Sequence, residues 1–275
     1  MLTIVTGLFA SLSFAIGNMF SQGVSRGTRP LTLMTWALGA GVAVILPIAL
    51  VIDGLPGPGE WPGAGLAALA GVLFFGAYFC LQHGLKVGDL GLVSALTSLQ
   101  GAYVAVVVVV LGVPVTPLLA AALVLCVAGA VITSFDGRAR STKGAIWAFA
   151  AGALFGGSML CFAYGHIDWL SQVAISRTVS LVIVVPVALL TGGLVVPKAL
   201  RPRALGAGAL ELSGVVLLTI AFALGPATVA GVTTTQFGTF AVILGFALLH
   251  ERPKPNQWAG IVCTIAGVSL LAALV

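Results

Sequence analysis

Long apolar runs follow one another along all 275 residues, and nearly every charge falls in the short breaks between them. Only 7% of the residues are charged, against 60% hydrophobic, and the mean hydropathy is +1.18. A soluble domain carries about 25% charged residues. Too few charges are present to build a water-facing surface, so lipid is the solvent for most of the chain.

An α-helix needs roughly 17–25 apolar residues to cross a bilayer. Ten runs qualify: 2–22, 31–52, 62–85, 89–112, 116–135, 143–164, 168–192, 203–224, 227–249 and 255–275. A spanning strand takes only about 10 residues and alternates in polarity, so these runs predict helices. The first run has no basic segment before it and no clear cleavage site, and it reads as a span rather than a removable leader. The expected class is an all-α, multi-pass membrane protein of a cell or inner membrane, with the lipid bilayer as its first partner.

A net charge of +5 does not point to nucleic acid, because the basic residues form no single patch. Eleven of the twelve Lys and Arg residues lie in loops or at the loop edge of a run, each following an odd-numbered run. Loops after even-numbered runs hold none, and include Asp53, Glu60 and Asp168. The positive-inside rule then places the odd loops in the cytoplasm and both termini outside it. Cys80, Cys126, Cys161 and Cys263 each sit in an apolar run without a CxxC or Cys/His cluster. They read as small buried side chains, and no metal or cofactor is expected.

Shifting the chain by 138 residues lays 85–132 on 223–270 without a gap. Thr97 meets Thr235, Pro117 meets Pro255, and Ala128-Gly129 meets Ala266-Gly267. This points to duplication, with a first five-helix repeat over 1–137 and a second over 138–275. Five spans is an odd number, so the second copy enters the membrane inverted. Such copies can exchange two conformations and open a midplane site to either side in turn.

The stretch from Gly225-Pro226-Ala227 through Thr233-Thr234-Thr235-Gln236 to His250-Glu251-Arg252-Pro253, and on through Asn256-Gln257-Trp258-Ala259-Gly260 to Gly267, resembles the drug/metabolite transporter superfamily, in particular its EamA-type ten-helix permeases. Lys86 to Leu90 is similar to the first-copy version. Val113-Pro114 stands where the second copy has Glu-Arg, and no basic residue precedes the first run. The resemblance implies a permease for small metabolites, amino acids, sugars or drugs.

Two charged residues lie deep inside runs. Glu211 lies about 12 Å deep in the eighth run, and Arg177 about nine residues into the seventh. Such groups are costly in lipid and are functional candidates by default. The two runs are antiparallel, so the charges reach similar depth, and a direct or water-bridged pair is feasible. Glu211 is the candidate for proton coupling or for holding a cation, and Arg177 for tuning it or contacting an anion. Ser11, Asn18 and Gln22 share one face of the first run, and Thr97, Gln100 and Tyr103 form a stripe in the fourth. Thr235, Gln236 and Thr239 are the copy of that stripe in the ninth. Trp36, Tyr78 and Tyr103 are candidate aromatic faces for a cation. Runs 1, 3, 4, 6, 8 and 9 are the expected cavity lining. Pro47 and Pro186 lie late in the second and seventh runs and are candidate gating kinks.

The expected function is secondary transport of a small metabolite, such as an amino acid or amine, with or without protons, by a monomer or homodimer. Uptake of a quaternary ammonium compound such as choline is the alternative within transport. A non-transporting membrane scaffold or receptor is the alternative outside it. No HExxH, GxSxG or paired-Asp motif supports an enzyme.

Overall fold

The structure is a computed structural model. It describes residues 1–275 except 26, 88–92, 94–95, 113, 135–143, 192–193, 250–253 and 275. The loop charges Arg26, Arg138, Arg140, Lys143 and Arg252 lie outside the described residues, as do His250, Glu251 and the side chain of Gln22.

Every regular element among the described residues is helical. The helices are α1 (Leu2–Ser25), α2 (Pro30–Ile52), α3 (Trp61–Val87), α4 (Gln100–Val110), α5 (Pro117–Ser134) and α6 (Ala145–Tyr164). They continue as α7 (Trp169–Leu190), α8 (Arg201–Leu224), α9 (Ala227–Thr233), α10 (Phe237–Leu249) and α11 (Pro255–Leu274). Among the described residues, seven helical stretches are long and apolar enough to cross a bilayer, the last being Ala227–Leu244; α4 and residues 117–133 are shorter apolar helices. In hydrocarbon no water is present to satisfy the backbone, so intrahelical bonding is what permits such segments. Both interior prolines, Pro47 and Pro186, are accommodated within their helices.

The ninth run differs from the single helix expected over 227–249. It breaks at Thr234–Gln236 into α9 and α10. Consecutive side chains there take over carbonyls of the preceding turn. The Thr233 hydroxyl donates to Val229 O (2.8 Å), Thr234 to Ala230 O (2.9 Å) and Thr235 to Val232 O (2.8 Å). Gln236 Nε2 donates to Val232 O (3.0 Å) and reaches Cys126 O on α5 (3.3 Å). Ser/Thr bonding back to these carbonyls loosens a helix. The described part of the fourth run also turns, at Ser98–Leu99, before α4 begins. Under the 138-residue shift Ser98 falls on Gln236, so the two breaks lie at corresponding positions in that alignment.

Small residues set how closely the helices approach. α1 packs along α8, α3 along α6, α2 along α7, and α5 along α11. α4 crosses α9, where a Cβ on Gly101 would stand 2.8 Å from Thr235 Oγ1 and one on Gly231 2.9 Å from Val104 Cγ1. α5 and α11 meet backbone to backbone: a Cβ on Gly129 would lie 2.5 Å from Thr264 N, and one on Gly260 2.4 Å from Thr133 N. Close approach through small residues is how helices gain packing in lipid.

The Gly129→Ala variant should lose about 1–3 kcal/mol, the usual cost of overpacking, and melt several degrees lower in detergent. A methyl group on Gly39 would have nothing within 4 Å of it, so Gly39→Ala should melt at or slightly above the wild-type midpoint. Equal midpoints for the two variants would contradict the close α5–α11 contact.

Candidate functional site

Burial of a charge in this bundle starts with α7. A Cβ on Gly71 of α3 would stand 2.4 Å from Ser176 O, so α3 and α7 are in close contact. The Ser180 hydroxyl crosses that contact to donate to Gly71 O (2.7 Å). Between Ser176 and Ser180 lies Arg177, only 1% exposed. Its guanidinium carbon sits 3.8 Å from the centre of the Phe74 ring, a cation–π contact. Its Nη2 stands 2.7 Å from Glu211 Oε1 on α8. Nε and Nη1 have no hydrogen-bond partner.

Glu211 also forms part of the wall of a central cavity of about 60 Å³. At about 10–15 Å³ per water, this holds a few waters as it stands. Its polar wall consists of Asn18 on α1, Tyr78 on α3, Thr97, Gln100 on α4, Ser158 on α6 and Glu211. Rings of Phe14, Phe74, Phe155, Phe162 and Phe237 complete it. These residues come from the first, third, fourth, sixth, eighth and ninth runs. Thr97 is 1% exposed and its hydroxyl has no hydrogen-bond partner. The Ser158 hydroxyl is committed to Ala70 O (3.0 Å).

The pair presents its two members unequally. Glu211 is on the cavity wall and its side chain is 12% exposed, whereas Arg177 is off the wall, behind it. Arg177 engages Oε1, the buried oxygen. A carboxylate has a second oxygen and about four lone-pair sites in all, so acceptor capacity remains for a ligand. The cavity therefore offers a carboxylate, a hydroxyl and amides among aromatic faces. That chemistry suits a positively charged donor on a small, partly apolar body.

The remaining candidates lie elsewhere. Trp36 stands near the start of α2, where its Nε1 donates to Leu194 O (2.9 Å) and Arg201 lies over its ring at 5.5 Å. Tyr103 turns from the cavity onto α6, where it packs edge-on to Phe149 and fills the space beside Gly156. A cage of Trp36, Tyr78 and Tyr103 is thus not assembled; only Tyr78 reaches the cavity. Gln236 ties α5, α9 and α11 together through Cys126 O and the Thr264 hydroxyl (3.3 Å). Ser11 donates to Thr233 O (2.8 Å) as a link between α1 and α9. The five phenylalanines of the wall were not singled out in the sequence. Neither was Gln82, fully buried with both amide ends unpartnered; a polar residue two turns from Phe74 on a long apolar run was the available signal.

Fold and site together define an all-helical, multi-pass membrane protein with a partly polar cavity inside its bundle. The chain belongs to the EamA-like transporter family, which matches residues 1–135 and again 142–273. Members of that family are membrane transporters. A solved structure described only as "Crystal structure of protein" shares the fold at a TM-score of 0.79, with 16% identity over 99% of this chain and 96% of that one. No curated protein matches the sequence.

Removing one member of a buried pair strands the other, at a cost of about 3–5 kcal/mol. Arg177→Met should therefore lower the detergent melting midpoint markedly. The double variant Arg177→Met/Glu211→Leu should recover most of the loss. A double variant no better than Arg177→Met alone would mean that the two side chains do not stabilise each other.

Proposed function

We propose that the protein is a secondary transporter for a small ammonium-bearing metabolite, an amine or amino acid, working by alternating access. The carrying observation is the unequal placement of the ion pair: the cavity meets Glu211, while Arg177 is screened behind it. A solute ammonium group binds the free carboxylate oxygen, and the phenylalanine rings and Tyr78 take its apolar part.

Alternating access rests on reading the chain as ten spans in two inverted halves, 1–137 and 138–275. The double family match supports this reading. So does the helix packing. Exchanging each span with its counterpart five later turns the α1–α8 contact into α6–α3, and α3–α7 into α8–α2. The α2–α7, α4–α9 and α5–α11 contacts turn into themselves. A pseudo-twofold arrangement of this kind lets two similar halves trade conformations around a fixed site. The charge partition among the loops favours odd loops in the cytoplasm and termini outside. A scaffold or receptor needs no interior polar cavity, and the wall described above speaks against that alternative. A quaternary ammonium compound remains the second reading within transport, favoured by the phenylalanine-rich wall.

Uptake into proteoliposomes, across amines, amino acids, quaternary ammonium compounds and organic anions, tests the proposal with and without a pH gradient. Saturable uptake is expected for the ammonium-bearing solutes and not for the anions. A hydrogen bond to a charged group is worth about 1.5–3 kcal/mol. Glu211→Gln should accordingly cut kcat/KM roughly ten- to a hundredfold. Undiminished amine uptake by that variant, or a preference for anions, would sink the assignment.

A further inference from the structure

Among the described residues, Glu211 is the one charged side chain on the wall of the central cavity, yet two helices begin at that wall. Gln100 is the first residue of α4 and Phe237 the first of α10, and both line the cavity. The first bond within α4 runs from Tyr103 N to Leu99 O (3.0 Å), and that of α10 from Phe240 N to Gln236 O (3.1 Å). The N–H groups of 100–102 and 237–239 therefore have no carbonyl of their own helix to bond. With 11 and 13 residues, both helices are long enough to carry a dipole. Each start then acts as roughly half a positive charge.

A helix start is not a site by itself. The Gln100 side chain is the second, independent observation. It is 5% exposed, lies on the cavity wall, and makes no hydrogen bond among the described residues. Buried side-chain amides nearly always have a partner. Gln236, at the other break, meets that rule by bonding Cys126 O and the Thr264 hydroxyl, whereas Gln100 has no such structural duty. The Gln82 amide is sealed within the bundle, but that of Gln100 opens onto the cavity. A free Gln amide supplies two N–H donors. Here they stand at the positive end of α4, and both features favour an anionic group.

We propose that the start of α4, with the Gln100 amide as donor, is a carboxylate subsite within the central cavity. The transported solute is then an α-amino acid. Its ammonium group binds Glu211, its carboxylate binds at Gln100, and an apolar side chain lies among the phenylalanine rings. The inference rests on the reading that an ammonium group binds Glu211, and goes beyond it by choosing the amino acid over the amine. A plain amine or a quaternary ammonium compound leaves the Gln100 amide and the helix start unmatched. Displacing water from them without replacing its hydrogen bonds costs affinity. A zwitterion satisfies both ends of the cavity and brings no net charge into the bundle.

Calorimetry on the full chain in nanodiscs tests this with matched pairs. L-alanine, L-valine and L-phenylalanine are each compared with the amine that lacks the carboxylate: ethylamine, isobutylamine and phenethylamine. At least one amino acid should bind about tenfold or more tighter than its own amine, the usual worth of a charge-assisted hydrogen bond. Gln100→Leu should bring that ratio close to one. Gln100→Glu, which sets a carboxylate against the solute's own, should invert it in favour of the amine. The wild-type comparison needs no variant, and each variant is read as a ratio on one protein, so a loss of stability does not mimic the result. The proposal is overturned if wild-type protein binds the amines as tightly as their amino acids. It is overturned too if Gln100→Leu or Gln100→Glu keeps the full preference for the amino acid. In these cases amine binding leaves the ammonium reading standing. If no amine or amino acid binds, or if isovalerate binds better than L-valine, the ammonium reading itself fails and this inference with it.

Discussion

A chain dissolved in lipid has no solvent to satisfy its polar groups, and that constraint orders the rest of the structure. Backbone bonds close within helices, and what helices leave over must find partners inside the bundle. Irregular backbone is tolerated at membrane depth only where protein or a cavity covers it. The break between α9 and α10 obeys this: Thr233, Thr234 and Thr235 are fully buried and bond their own helix, and Gln236 bonds across to α5. The glycines at Gly101 and Gly231 let α4 and α9 cross at van der Waals distance, so the interrupted backbone is sealed on both sides.

The same rule explains the ion pair. Isolated, either Arg177 or Glu211 would be expelled from hydrocarbon or neutralised. Together, with a phenyl ring beneath the guanidinium, they are tolerated at the wall of a cavity. A buried pair adds little net stability over apolar residues of the same shape, while losing one partner alone is costly. The pair holds the Glu211 carboxylate in a defined place at the cavity wall.

Much of this was legible beforehand, for physical reasons. The helical, multi-pass architecture and the similar depth of Arg177 and Glu211 follow from run length and a rise of about 1.5 Å per residue, which need no tertiary information; that the two side chains meet needed the structure. Asn18, Tyr78 and Gln100 could be named because polar groups in lipid must face inward. Rotation about the helix axis is a different matter. Apolar helices in lipid show no polar stripe to orient them, so Phe162 on the wall looks in sequence like Phe9 or Phe246, which are 57% and 49% exposed. For the same reason Trp36 and Tyr103 were grouped with Tyr78, although one stands beside Arg201 and the other packs on α6. The breaks at Ser98–Leu99 and Thr234–Gln236 were hidden too, because hydroxyl-rich segments read equally well as interhelical contacts.

Arg177 and Glu211 belong to adjacent helices, α7 and α8, and together carry no net charge. An unpaired Glu211 moved across a membrane field would be worth about 2.3 kcal/mol per 100 mV. With its partner 2.7 Å away, the field acts on a short dipole and finds almost nothing to pull. The interior of the bundle is in this sense electrically silent. Among the described residues, a membrane field therefore finds no lone charge at this pair to act on.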